Sequence, residues 1–156
     1  MTKFGKLVFT IILVAILSII IFFLQKKPSS EVVYTPPADV VIAENEIIGN
    51  KDDLVSFSIL PGSKVQGVVF YEGAVKGGYF FEGNILVNIL DTNKNLLKAG
   101  NTMATTEWMT AEPVGFGGSI DFTLLPKGPA YVEIHNDNAS GLPENDKSIL
   151  IPIVVE

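Results

Sequence analysis

The sequence predicts an all-β domain, a two-sheet sandwich of about seven short strands, carried behind one N-terminal transmembrane helix. Three features predict it. Beyond residue 54, apolar and polar residues alternate with period two in short runs. Pro, Gly, Asn and Asp cluster between those runs, as turn chemistry requires. Residues 7–24 form an apolar block whose only polar members are Thr10 and Ser18.

As a helix, residues 7–24 would span roughly 27 Å, close to the ~30 Å hydrocarbon core of a bilayer. Lys3 and Lys6 flank one end and Lys26 and Lys27 the other, placed to reach the two headgroup layers. Few helices of soluble proteins are apolar all round. A cleaved signal peptide has a shorter apolar region that ends at small residues. Here the block runs out through Phe22, Phe23, Leu24 and Gln25, and no Cys is present for lipid attachment. Residues 1–26 are therefore read as an uncleaved membrane anchor.

Lysines are nearly balanced across the block, so they orient it weakly. All 17 acids but only seven of the 11 lysines lie at or beyond Glu31, so that part carries a net charge of −10. The expected location is the cell membrane, single-pass, with the C-terminal domain extracytoplasmic. Residues 27–53 form a stalk and lead-in. Pro28, Pro36 and Pro37 bias it to extended conformations, and residues 40–48 suit either a strand or a helical turn.

The domain, residues 54–156, is read strand by strand. Val55, Phe57 and Ile59 alternate with Ser56 and Ser58, and Pro61-Gly62 ends that run. A second run, 68–72, is closed by Gly73. A third, 80–90, is the longest, and the polar turn 91–95 returns it as a hairpin through 96–103. Ile120, Phe122 and Leu124 alternate with polar neighbours before the turn at residues 126–129. Val132 and Ile134 share one face of the run 131–135. Residues 148–155 make the last strand, where Pro152 points to an edge position or an irregularity. About seven strands in about 100 residues fit an immunoglobulin-like sandwich, with a small barrel as the alternative. The domain is long enough to bury its own core without cross-links.

Composition excludes several functions. With no Cys there is no disulfide, thiolate metal site or Cys nucleophile. One His, His135, rules out a multi-His metal site within the chain. No G-x-S-x-G elbow accompanies it, so no catalytic residue is expected and the chain is read as not an enzyme. All cations are lysines, so no Arg clamp exists for phosphate. The charge of −10 argues against nucleic acid, whose binding needs a positive face.

Five segments then suggest a family. Gly78-Tyr79-Phe80-Phe81-Glu82 resembles the aromatic-Phe-Phe-Glu strand start of the bacterial spore germination immunoglobulin-like domain, the second type of the Gmad group. Pro61-Gly62 with Val65, Leu90-Asp91 with Leu96-Leu97, and Trp108-Met109-Thr110 are similar to further family segments in the same order. So is the run from Asn138 to Asp146, followed by Ser148 and Ile151-Pro152. The resemblance covers residues 54–156. It departs at Ala139 and Gly115, where the family often has Pro. It implies a non-catalytic module of secreted or membrane-tethered envelope proteins, some tied to sporulation and germination.

The candidate interaction surface is Trp108, Tyr79, Asn136, Asp137, Asn138, Glu144 and Asp146. Tyr79 and Trp108 belong to an aromatic stock with Phe80, Phe81 and Phe116, and Trp108 sits in a loop-like stretch suited to stacking or to covering the sandwich end. Residues 136–146 gather oxygen ligands of the kind calcium takes, though no EF-hand register fits and an Asx- and Gly-rich turn bonding its own backbone is the favoured account. Glu107 and Glu112 flank Trp108 in what reads as a solvated loop. No cofactor or metal is expected. The expected partners are the membrane through residues 7–24 and either an envelope protein or a cell-wall glycan, the latter stacking on Trp108 and Tyr79.

Overall fold

A computed structural model of the chain describes residues 46–156. The expected anchor at 7–24 and most of the stalk lie outside the described residues. Among those described, no helix is long and apolar enough to cross a membrane.

The described chain is all-β, in two sheets. Its strands are β1 (Ile48–Gly49), β2 (Leu54–Phe57), β3 (Ser63–Val65), β4 (Val68–Val75), β5 (Asn84–Leu90), β6 (Leu96–Lys98), β7 (Asn101–Met103), β8 (Val114–Asp121), β9 (Gly128–His135) and β10 (Ser148–Val155). The larger sheet runs β1-β10-β9-β5-β6, with β3 also on β10 and β7 also on β5. The smaller runs β2-β4-β8. All pairings are antiparallel except β3 with β10. One apolar core draws Phe57, Tyr71, Val75, Phe116 and Ile120 from the small sheet. It draws Ile85, Val87, Ile89, Val132, Ile134, Ile149, Ile151 and Ile153 from the large one. These are alternate residues of each strand, so period two sorts them to one face.

Within the core the small sheet contributes a cluster of rings. Phe116 lies 6.0 Å from Phe57, 6.3 Å from Tyr71 and 6.5 Å from Phe80, centroid to centroid. Gly73 and Gly118 are the spaces the rings fill. A Cβ on Gly73 would stand 2.7 Å from Phe116 Cζ, and one on Gly118 would stand 2.7 Å from the Tyr71 hydroxyl. Gly73 therefore lies inside β4 and does not end it, contrary to the reading of Gly as a terminator.

Several other expectations are corrected. Leu54 pairs with Val75 and Ser56 with Ala74, so Val55 is a bulged extra residue. The bulge turns Val55 out to solvent while Phe57 and Ile59 stay buried. The third strand begins at Asn84, not Phe80. Glu82 (φ 50°) and Gly83 (φ 78°) form a tight turn, closed by reciprocal main-chain bonds between Phe81 and Asn84 of 3.1 and 2.8 Å. Positive φ at both central residues is the signature of a type I′ hairpin turn. Leu124 is 93 % exposed, because the chain turns after Phe122, whose carbonyl accepts the Leu125 N–H at 3.1 Å. The strand expected around Ile120 begins at Val114 and ends at Asp121, so Phe122 and Leu124 lie beyond it.

The expected hairpin 96–103 forms, as β6 and β7 on β5; β7 and Lys98 keep one register, which shifts by a residue before Leu96. Asp91 caps its turn: its carboxylate accepts the N–H groups of Asn93 and Asn95, both at 2.8 Å. Those bonds hold its carboxyl below the usual range.

Pro152 is not on an edge strand. β10 has β9 on one side, and on the other β1 at residues 149–150 and β3 at 153–155. The Pro152 carbonyl accepts the Gly62 N–H at 2.8 Å on that second side. Carbonyl and N–H of an extended residue point the same way, so the missing donor faces the junction between β1 and β3, where no ladder bond is due. The 3₁₀ turn Lys51–Asp53 follows β1 closely, and Asn50 N–H donates to the Ser148 carbonyl at 2.8 Å. Residues 48–53 thus pack as part of the domain and not as stalk.

The outer edge of β8 is closed from several directions. Thr105 N–H donates to the Gly115 carbonyl at 2.8 Å, the Thr102 hydroxyl to the Gly117 carbonyl, and Lys98 Nζ to the Asp121 carbonyl at 2.7 Å.

Candidate functional site

The seven residues expected to form one surface divide into different roles. Tyr79 is fully buried, so it is not a stacking platform. Its position is corrected to the core. Its hydroxyl lies 3.3 Å from Asp53 Oδ2, and Lys147 Nζ stands 5.6 Å from its ring centroid. Burial, and then the Asp53 charge beside it, push its ionisation well above the ordinary tyrosine range. Burial raises Tyr71 in the same direction.

That shift makes a prediction. A tyrosine whose folded pKa is raised contributes stability fully present below its unfolded value near ~10, lost as pH rises toward the folded value. Stability is expected to fall between about pH 10 and 12, measured by urea unfolding at each pH. Tyr79→Phe is expected to flatten that fall, because no phenolate can form beside Asp53.

Asn136 is also buried, at 6 % exposure, and acts as a staple. Its Oδ1 accepts the Lys147 N–H at 2.7 Å and its Nδ2 donates to the Asn145 carbonyl at 2.9 Å. It therefore closes the base of the loop and is not free to meet a partner. His135 Nδ1 lies 2.7 Å from the Asn136 carbonyl, which fixes the proton on that nitrogen.

The other loop oxygens are engaged locally. Asp137 accepts Asn84 Nδ2 at 2.8 Å, and Asp137 N–H donates to the Tyr79 carbonyl at 3.0 Å. Asn138 Nδ2 donates to the Leu142 carbonyl at 2.8 Å and to Asp146 Oδ1 at 2.7 Å, while its Oδ1 accepts the Ser140 N–H at 3.1 Å. An Asx-type turn accounts for these contacts. Among the described residues no three His, Asp or Glu side chains group as a metal site. Glu144 and Asp146 remain exposed on the 3₁₀ turn Pro143–Asn145 and beside it.

Trp108 is partly exposed and lies over the Glu82–Gly83 turn. A Cβ on Gly83 would meet its indole at 3.5 Å and the Met103 methyl at 3.2 Å. The indole thus lies against the turn, and the residue stays partly exposed. Trp108 is not brought into contact with the residues of the 136–146 loop by any hydrogen bond described.

A concavity lies on the outer face of the small sheet, a trough of about 820 Å³. On that face Phe70 and Glu72 of β4 stand beside their cross-strand neighbours Ser119 and Gly117 of β8. Phe70 is 80 % exposed. Gly117 leaves the floor without a side chain, and the Glu72 Cγ lies 3.5 Å from where its Cβ would be. Thr105 rises at one end over Gly115, and Ser58 lies on the β2 side, its Oγ accepting the Glu72 N–H at 2.9 Å. No lysine lines the trough. Among the described residues the ion pairs are Lys51–Glu46, Lys64–Glu156 and Lys76–Asp53, none with Glu72.

The sequence reading missed this face. Val68, Val69, Phe70 and Tyr71 are all apolar, so no alternation marks which side is outward. The only signal was the Gly-x-Gly-Gly-Ser run opposite, readable as a bare floor once β8 was recognised as a strand.

No family model, no curated protein and no solved structure matches the chain.

Proposed function

We propose that the chain is a membrane-tethered envelope protein that presents an immunoglobulin-like, non-catalytic domain for recognition. The observation that carries this reading is the apolar block 7–24, bounded by lysines at both ends and followed by a chain of net charge −10. The two-sheet all-β architecture with one shared core supports the immunoglobulin-like class. The ordered resemblance of five segments to the spore germination domain supports the envelope setting.

The glycan reading built on Trp108 and Tyr79 as paired platforms loses its second platform, because Tyr79 is buried. Trp108 with the exposed Glu144 and Asp146 remains available to a protein partner.

The test is fractionation followed by protease treatment of intact cells. The full-length chain is expected to stay in the membrane pellet through alkaline carbonate washing and to be digested by protease added from outside. Recovery in the soluble fraction would overturn the tether. Digestion only after the cells are broken would overturn the orientation.

A further inference from the structure

We propose that the outer face of the large sheet is the docking surface for the chain's own residues 41–45, with the apolar Val41, Ile42 and Ala43 supplying the contact. This goes beyond the tethered-domain reading and stands without it.

Register decides which residues face outward. Ile89, Val132, Ile149 and Ile151 turn into the shared core. Side chains alternate across a strand, so their neighbours Leu90, Tyr131, Leu150 and Pro152 turn away from it. Leu90 pairs with Tyr131, Tyr131 with Pro152, and Leu150 with Ile48. These five make one apolar patch across β5, β9, β10 and β1. Leu90, Tyr131 and Leu150 accordingly form a cluster of their own, apart from the main core.

That cluster is not in water. Leu90 is 6 % exposed, Tyr131 7 % and Leu150 5 %. The small sheet supplies the contrast, since Phe70 on its outer face is 80 % exposed. Outward positions of a bare sheet stay wet, and these do not. The small sheet is not the cover, because it packs on the opposite, core face of the large one. The 3₁₀ turn Pro143–Asn145 is not the cover either, because it is tied to Asn136 beyond the far end of β9.

The chain before Glu46 enters at this patch. It leads into Ile48, which belongs to the patch, and Glu46, Ile48 and Lys51 stand with Tyr131 around a hollow of about 350 Å³. Residues 40–43 are an apolar run between Asp39 and Glu44, with no other use evident in the sequence. Five extended residues reach at most ~18 Å, and Leu90 lies three strand spacings from β1, about 14 Å. The compact unit that holds both sheets begins at Val41. A second copy of the chain is the competing occupant. It would have to outcompete an apolar segment tethered beside the patch, whose effective concentration is on the order of millimolar. The stalk is then residues 27–40 and not 27–53, and this face is closed to other partners.

The experiment uses the full-length chain in detergent. The chain has no Cys, so Ile42→Cys and the stalk control Thr35→Cys each carry one thiol. Their rates of reaction with a charged, water-soluble maleimide are compared. Ile42→Cys is expected to react at least about tenfold more slowly, and the difference is expected to vanish in strong urea. Leu150→Lys puts a charge under the segment and is expected to remove most of that protection while the domain still melts cooperatively. Equal rates for Ile42→Cys and Thr35→Cys would overturn the proposal, and that comparison decides even where Leu150→Lys does not fold. Protection that persists in a folded Leu150→Lys chain lies elsewhere and would also overturn it. So would fast labelling of Ile42→Cys in a chain that sediments as a dimer, which gives the face to a second copy. None of these outcomes bears on the membrane tether, which the fractionation tests separately.

Discussion

Phe116→Ala is expected to destabilise the domain by about 3–5 kcal/mol. That is at least about a fifth of the ~5–15 kcal/mol that holds a typical domain together. The side chain is 2 % exposed and is the hub of the ring cluster with Phe57, Tyr71 and Phe80. Its removal leaves a cavity that three aromatic neighbours cannot fill without leaving their rotamers. Chemical denaturation of the domain variant against the wild type measures the loss.

Gly73 makes the same point from the opposite direction. Gly73→Ala would place a methyl 2.7 Å from Phe116 Cζ and 2.8 Å from Phe57 Cδ2, and overpacking of that kind costs about 1–3 kcal/mol. In the Phe116→Ala background one of the two clashing rings is gone and Phe57 has room to move aside, so Gly73→Ala is expected to cost less there. The double-mutant cycle should therefore be strongly non-additive. Additive effects would mean that the ring and the glycine do not share one space.

Asn136→Ala is the second large effect, expected at about 2–3 kcal/mol. The change deletes two bonds at once and leaves the Lys147 N–H and the Asn145 carbonyl without their partners. It also unties the loop from the end of β10. Hydrogen exchange of the Lys147 amide should accelerate more than that of the β10 core. Uniform acceleration across β10 would show instead that the side chain stabilises only the whole fold. Asn136→Asp keeps the acceptor for Lys147 but sets a carboxylate oxygen against the Asn145 carbonyl, so it should lose most of the same stability at neutral pH.

How much of this was legible in the chain depends on where polar residues alternate. The strand at residues 148–155 was readable because Ile149, Ile151 and Ile153 share a parity, and β10 has those bounds. The hairpin returning through 96–103 was readable from the polar turn between its arms. Val114 to Gly118 was not, because glycine occupies its outward positions and glycine reads as loop. Tyr79 follows Gly77-Gly78 and looks like a loop aromatic. Packing with the apolar core buries it, with the distant Asp53 and Lys147 beside its hydroxyl and ring. Val55 and Leu124 were assigned to the wrong face for one shared reason. A bulge in one case and a turn in the other advance the chain by a residue, and period two cannot report a phase change it does not contain. The trough was invisible for a related cause. Phe70 and Tyr71 are adjacent aromatics, and which one faces water is decided by the sheet packed beneath.

The blocked carbonyls along β8 have a consequence for how the molecule keeps company with itself. A bare strand rim is a template on which identical chains can stack into ribbons. Here a hydroxyl, an ammonium and a backturned main-chain amide each occupy one rung of it. Copies crowded side by side can therefore jostle at that flank without seeding a fibre.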